Sequence, residues 1–381
     1  MDYSTGMNIQ YTERLEKIEA VLNRTLPKNP DTAWVDMTFG DLPTMPNPTL
    51  VQELTDPGRD LIDRGGKRWR PLLMTLTCET LQGGDSALDL VPLVEFSHNG
   101  TLIHDDIEDS SEERRGKPAV HILYGLDRGL NAGSFLYFVG LTALQDWIAP
   151  AERKNTIAQC WGLHIRRVHL GQAMDIAWHR NFSSLPSLEE YDLMCRMKTG
   201  VLARMAIELG VYSAGLQHDI RKNLHIDEIH SEPQADLARR LAEEARLAEV
   251  LGLTAENLGV GFQILDDVKN LTTGNPGKKR GDDIVEGKKS LPIILFLQQN
   301  PTRIEFVKRC FSAARAQGTG AREVEELIGE LDQAGVIAEA RRRGMELIER
   351  AIGILETEAF VNYPVNKEAH KLLVNFVSLL G

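Results

Sequence analysis

Two short acidic runs hold the strongest chemical content of the sequence. In His98-Asn-Gly-Thr-Leu-Ile-His-Asp105-Asp106-Ile-Glu-Asp109 an apolar stretch closes on carboxylates at i, i+1 and i+4. In a helix, Asp105 and Asp109 project one turn apart on one face, with Asp106 beside them. Like charges so placed repel, and the C-terminal end of a helix already disfavours negative charge, so the arrangement calls for a cation. Mg²⁺ suits it, because this ion takes one or two protein carboxylates and leaves its other positions to water and substrate phosphate. One DDxxD by itself is equally a solvated acidic helix end. However, Gly261-Phe262-Gln263-Ile-Leu-Asp266-Asp267-Val-Lys-Asn270 ends a second apolar segment in the same way. Gln263, Asp266 or Asp267, and Asn270 share one face there. Two such ends facing each other across a cavity would clamp several metal ions onto one polyphosphate. Asn270 stands in place of a third carboxylate, so the second motif is expected to hold metal more weakly.

Cations flank these runs. Gly65-Gly66-Lys67-Arg68-Trp69-Arg70-Pro71 puts three positive charges in four residues after a diglycine, just before a helix expected to start near Pro71. Glycine allows close backbone approach to an anion, and the helix N-terminus adds partial positive charge, so this segment is a diphosphate seat in outline. Arg114-Arg115-Gly116 follows the first acidic run, Lys198-Thr199-Gly200 interrupts another apolar helix, and Lys278-Lys279-Arg280 lies in a glycine-rich loop that continues to Lys288-Lys289. Each cluster alone is ordinarily a solvated face. Together with two carboxylate clusters they suit two phosphorylated ligands, one held through metal and one directly by Lys and Arg. His98 lies two helical turns before Asp105 on the same face; a histidine so placed is ordinarily a hydrogen-bonded core residue.

The elements that must position these groups are helical. Helical periodicity marks residues 70–82, 88–109, 129–148, 155–178, 188–215, 234–253, 255–272, 290–299 and 323–355, while alternating β-branched runs are nearly absent. An amphipathic helix over 8–26 ends before Pro27, and five prolines between Pro27 and Pro48 make an arm. The expected architecture is all-α: a single large helical bundle around a central cavity over 49–381, preceded by an N-terminal helix and Pro-rich arm over 1–48. The longest apolar stretch, Ala132 to Leu144, is too short to span a bilayer and reads as a buried helix. No transmembrane segment or signal peptide is expected.

Composition removes other classes. With 43 Lys+Arg against 55 Asp+Glu, the net charge of −12 disfavours nucleic acid as a partner. Cys78, Cys160, Cys195 and Cys310 are widely separated, which fits neither a disulfide framework nor a zinc site and suits a reducing cytoplasm.

GGKRWRP, HNGTLIHDDIEDSSEERRGKP, GQAMDIAW, KTG, GFQILDDVKN and GDDIVEGKKSLP, in this order over roughly residues 60–295, resemble the trans-isoprenyl diphosphate synthases (polyprenyl synthetases). DDIED paired with an Asn-ending second motif is most similar to the geranylgeranyl diphosphate synthase branch, with a longer-chain synthase as the alternative within the family. The resemblance implies the isoprenoid synthase fold, a homodimer, and head-to-tail condensation of isopentenyl diphosphate with an allylic diphosphate. It also implies about three Mg²⁺ ions when substrate is bound. Asp105, Asp109 and Asp266 would be the principal metal ligands, with Asp106, Asp267 and Asn270 assisting. Lys67, Arg70, His98 and Arg115 would bind isopentenyl diphosphate. Arg114, Lys198, Thr199, Gln263, Lys279 and Lys288 would hold the allylic diphosphate, with Lys198 also catalytic. Small residues at Gly100 and Thr101, where relatives that stop at farnesyl place an aromatic, imply a tunnel deep enough for a C20 or longer product. Phe135, Tyr137, Phe138 and Trp178 are candidates for its floor, although core packing is the usual role of such residues.

Two other functions share parts of this pattern. A class I terpene cyclase has an all-α cavity and a DDxxD but needs only one diphosphate site, whereas GGKRWR and RRG point to a second. A non-catalytic subunit of a heteromeric synthase would have lost aspartates that both motifs here retain.

Overall fold

The computed structural model describes residues 8–181, 185–221, 234–274 and 279–380. Nearly all of it is helix: α1 (Asn8–Thr25), α2 (Thr32–Phe39), α3 (Pro48–Asp63), α4 (Trp69–Thr80), α5 (Val91–Glu108), α6 (Val120–Tyr124), α7 (Leu126–Val139), α8 (Ala143–Asp146), α9 (Ala151–Arg180), α10 (Leu188–Cys195), α11 (Val201–Arg221), α12 (Gln234–Thr272), α13 (Asp282–Glu286), α14 (Leu291–Gln299), α15 (Ile304–Gln317), α16 (Arg322–Gln333), α17 (Val336–Gly353) and α18 (Lys367–Leu380). Among the described residues the only strands are the pair Glu113–Arg114 and Lys117–Pro118, antiparallel with Glu113 opposite Pro118. The all-α expectation is met. The chain divides into two compact units: residues 1–163, 205–252 and 356–380 form the first, and residues 164–204 and 253–355 the second.

In the first unit α5 packs against α7, and α4 against α18. Tyr11 of α1 donates to the Leu372 carbonyl of α18 at 2.9 Å, joining the start of the chain to its end. The Pro-rich segment is more ordered than an arm. Asp31 caps α2 by accepting from the Trp34 amide at 2.8 Å, and Trp34 Nε1 donates to the Thr25 carbonyl at 2.9 Å, folding α2 back onto the end of α1. Asn47 and Pro48 then start α3 in the usual cap and first-turn positions. Helix α4 begins at Trp69, ahead of Pro71, with Arg68 at its N-cap in left-handed backbone. Helix α7 is only partly the buried helix expected of 132–144. Leu136 and Tyr137 are buried, but Phe138 faces solvent, and the stretch breaks into a 3₁₀ turn at Gly140–Thr142.

The second unit has its own core around α14, whose residues Leu291 to Leu297 are buried all round. Phe311 of α15, Leu327 and Leu331 of α16 and Ile337 of α17 pack there; burying each side chain of this size contributes about 1.5–3 kcal/mol. The periodic stretch 323–355 divides at Gly335, whose φ of 71° ends α16 and starts α17. The separate segments 234–253 and 255–272 are one continuous helix, α12. A π-helical turn, Arg196–Gly200, joins α10 to α11. Tight spacing explains the glycines near it: a Cβ on Gly171 of α9 would lie 2.3 Å from the Lys198 amide, and one on Gly259 2.5 Å from the Gly200 Cα.

Candidate active site

The first acidic motif lies at the C-terminal end of α5. Asp105 and Asp109 are partly exposed, as their one-turn spacing requires, while Asp106 points inward and is fully buried. Arg114 grips Asp106 in a fork: Nε reaches the two carboxylate oxygens at 2.9 and 3.1 Å, and Nη2 reaches Oδ1. Burial raises the Asp106 pKa even against the pull of this guanidinium. With both oxygens engaged, Asp106 anchors Arg114, leaving Asp105 and Asp109 as the carboxylates that reach the surface. Arg114 also approaches Asp105 at 3.7 Å.

The small β-hairpin has a local purpose. Its two-residue turn is Arg115-Gly116, with φ of 55° and 73°, the left-handed pair that a type I′ turn needs. The turn aims Arg115 back at α3 and α5, where Nη1 donates to the Leu61 carbonyl at 3.0 Å and to Asn99 Oδ1 at 3.3 Å. Arg68, Ser110 and Arg115 all flank this region, and they are three of the four described non-glycine residues with left-handed φ. Strain of this kind, about 1–3 kcal/mol each, persists only where surrounding contacts impose it.

Lys67 is exposed, whereas Arg70 is buried and its guanidinium lies 4.3 Å from the Trp69 ring centroid. Arg70 Nη1 sits 3.2 Å from His98 Nε2. Arginine only donates, so Nε2 accepts and the His98 proton resides on Nδ1. Burial, then the charges of Arg70 and Arg115, hold the His98 pKa well below its ordinary value, so the ring is neutral. Desolvation likewise lowers Arg70 and Arg115 to about 10. Two buried donors here lack any acceptor: Arg70 Nε and His98 Nδ1. Orphaned donors among crowded cations fit an anion.

The second motif ends α12 in the second unit. Asp266 is exposed. Asp267 is buried and accepts from the Tyr191 hydroxyl at 2.8 Å and from Gln263 Nε2 at 3.0 Å. Burial, with Asp283 adding like charge, pushes its pKa up to about 7. Gln263 Oε1 accepts from Thr199 at 2.7 Å, tying the motif to the π turn. Asn270 is also buried; its Oδ1 accepts from the Asp283 amide at 3.2 Å and its Nδ2 donates to the Lys279 carbonyl at 3.5 Å, so it organises the following loop. Lys198 lies 2.5 Å from Asp175 of α9. Burial works to raise the Asp175 pKa, but Lys198 and Lys288 outweigh it and keep the acid ionised. Lys288 pairs with Glu286 at 2.7 Å and approaches Asp283 at 3.7 Å, and Lys279 is exposed. Lys278 lies outside the described residues.

Thus the first unit brings together Lys67, Arg70, His98, Arg115, Arg114 and the Asp105–Asp109 end, and the second links Thr199, Gln263 and Asp267. Glu95, Asn99, Asp175 and Tyr191 join these sets without having been singled out from sequence. Asp175 lies inside the quoted GQAMDIAW, and Glu95 is an acid in the otherwise apolar VPLVEF. Gly100 is occupied differently from a tunnel wall: a Cβ there would meet the Gly133 carbonyl of α7 at 2.8 Å. Thr101 is partly exposed and donates to the His98 carbonyl at 2.6 Å. Of the aromatic residues considered for a floor, Phe135 stacks on Phe39 at 5.9 Å, and Tyr137 is buried beside His104.

Residues 51–227 and 234–330 match the family model described as polyprenyl synthetase. The geranylgeranyl pyrophosphate synthase of Geoglobus acetivorans is 32% identical over 301 residues, covering 78% of this chain and 82% of that protein. The geranylfarnesyl diphosphate synthase of Aeropyrum pernix is 28% identical over 339 residues, covering 83% and 91%. A solved geranylgeranyl pyrophosphate synthase superposes over 99% of this chain and 98% of its own with a TM-score of 0.74 at 22% identity, a likeness of fold.

Proposed function

We propose a site assignment and a product for a chain that belongs to the polyprenyl synthetase family and is a chain-elongating trans-prenyltransferase. The substrates are isopentenyl diphosphate and an allylic diphosphate, and the product is C20, geranylgeranyl diphosphate. The observation that carries the assignment is the pair of buried donors without acceptors, Arg70 Nε and His98 Nδ1, beside exposed Lys67 and the Arg115 turn. This is the seat of isopentenyl diphosphate. Neutral His98 donates to it from Nδ1 without adding charge.

In the second unit Lys198 and Thr199 hold the allylic diphosphate, with Lys279 and Lys288 assisting. Asp175 fixes the Lys198 ammonium, and Gln263 fixes the Thr199 hydroxyl. The donor set suits Mg²⁺: Asp105 and Asp109 offer only oxygen, lie one turn apart, and are not withdrawn into the core as Asp106 is. Asp266 is the outward carboxylate of the second motif, while Asp106, Asp267 and Asn270 act as supports. Mg²⁺ supplies charge neutralisation for the departing diphosphate. The allylic carbon–oxygen bond breaks to leave an allylic carbocation and diphosphate, the double bond of isopentenyl diphosphate attacks the cation, and the proton then lost passes to the released diphosphate. No side-chain nucleophile takes part. Two relatives are named as synthases of geranylgeranyl and geranylfarnesyl diphosphate, and small Thr101 supports a product beyond farnesyl. The exposed apolar residues Ile122, Leu123, Leu126, Leu130 and Phe138 of α6 and α7 support a homodimer.

The test is incubation with farnesyl diphosphate and Mg²⁺, with and without isopentenyl diphosphate, followed by chromatography of the product alcohols. A C20 alcohol that requires isopentenyl diphosphate is expected. Cyclic hydrocarbon made without it would replace this reading by a terpene cyclase.

A further inference from the structure

The cationic seat has an acid beneath it. Glu95 is buried on α5, one turn before His98 and Asn99. A single one of its oxygens, Oε1, accepts from Arg68 Nη1 at 2.8 Å and from Asn99 Nδ2 at 2.9 Å. Asn99 is itself buried, donates to the Glu95 carbonyl at 2.7 Å, and accepts from Arg115 Nη1 at its own Oδ1. Arg68, also buried, donates from Nε to Glu19 of α1 at 2.6 Å and from Nη2 to the Ile62 carbonyl at 2.7 Å. These three bonds all go to protein groups, although Arg68 lies between Lys67 and Arg70. The two loops that Glu95 reaches, directly and through Asn99, are the ones whose arginines hold left-handed backbone.

We propose that Glu95 is the positioning residue of the isopentenyl diphosphate seat, pinning the Arg68 loop and, through Asn99, the Arg115 turn onto α5 so that Lys67, Arg70 and Arg115 converge. The inference rests on the assignment of that seat given above. It also gives α1 a task, because Glu19 closes the outer side of Arg68 and couples the N-terminal helix to the loop.

Charge and positioning make opposite predictions, which is what makes the proposal testable. If only net charge mattered, removing a carboxylate from beneath an anion site would tighten diphosphate binding. If Glu95 holds the loops, Glu95→Gln weakens it, because the ion pair with Arg68 and the charge-assisted bond from Asn99 each lose their carboxylate and the aim of the cations loosens. Steady-state kinetics on the full chain with Mg²⁺ should show the KM for isopentenyl diphosphate rising about ten-fold. The KM for the allylic substrate and kcat should stay within about two-fold, a split that general destabilisation would not produce.

Lys67→Ala is measured in parallel. An increase in the same KM for Lys67→Ala, with an unchanged or lower KM for Glu95→Gln, overturns the positioning role and leaves the seat standing. No effect of Lys67→Ala overturns the seat and the inference with it. If Glu95→Gln does not fold, judged by circular dichroism, Glu19→Gln at the half-exposed end of the chain of bonds decides. A selective rise of about two-fold in the KM for isopentenyl diphosphate supports the role, and no change overturns it.

Discussion

The two acidic helix ends read almost alike, yet they are supported by opposite means. In each, the second aspartate turns inward and is buried. Asp106 is met by a cation, the forked guanidinium of Arg114, whereas Asp267 is met by two neutral donors, Tyr191 and Gln263. The fourth positions beyond the leading aspartates diverge further: Asp109 is partly exposed, and Asn270 is buried in the service of the loop after it. The shared pattern therefore specifies which residue leads. The neighbours decide whether the carboxylate beside it is a fixed anion or one poised to hold a proton.

The largest expected effect is on the cation-supported end. Arg114→Met leaves Asp106 buried without a partner and should cost about 3 kcal/mol of stability, read as a lowered urea midpoint. The same change would cost little if Asp106 could turn outward as a ligand. Next comes the surface pair: Asp105→Asn or Asp109→Asn should reduce kcat by about a hundred- to a thousand-fold with the fold intact, and chelation of divalent metal should abolish turnover reversibly. Retained activity in EDTA would remove the metal from both ends at once.

At the neutral-supported end, Asn270→Asp would bring a carboxylate toward Asp267 and Asp283 and lose a donor to the Lys279 carbonyl. It should destabilise the chain by about 1–3 kcal/mol without restoring the activity of an Asp109 variant. The most delicate measurement is a pH profile of thermal unfolding in metal-free buffer. The folded pKa of Asp267 is raised to about 7 from the usual 3.8. Its contribution is therefore fully present below pH 3.8 and is lost as the pH rises toward and through 7. Asp267→Asn should flatten the part of that slope near pH 7, and Asp106→Asn should leave that part in place.

What could be read in advance follows from distance along the chain. Asp105, Asp109, Asp266 and the cations of GGKRWR and RRG announce themselves by type and local spacing, and helical period locates most of the elements that carry them. The supports are remote partners: Glu95 is 27 residues from Arg68, Asp175 is 23 from Lys198, and Tyr191 is 76 from Asp267. No local pattern pairs them. Burial was equally hidden, because Asp106 and Asp105 are adjacent and chemically identical, and only the packing around α5 separates a support from a candidate ligand. Gly100 shows the same limit. Its smallness looked like room for a prenyl tail, but it is filled by the backbone of α7.

The π turn at Arg196–Gly200 amounts to one surplus residue threaded into an otherwise regular coil. Excising a residue there would heal the coil and lose no motif letter except the one removed. It would also rotate the first residues of α11 by about 100° about the helix axis relative to α10. Gly200 would leave its seat against Glu256 and Gly259, and Thr199 its bond to Gln263. Deleting one residue at this point is therefore expected to harm the chain more than most single substitutions would.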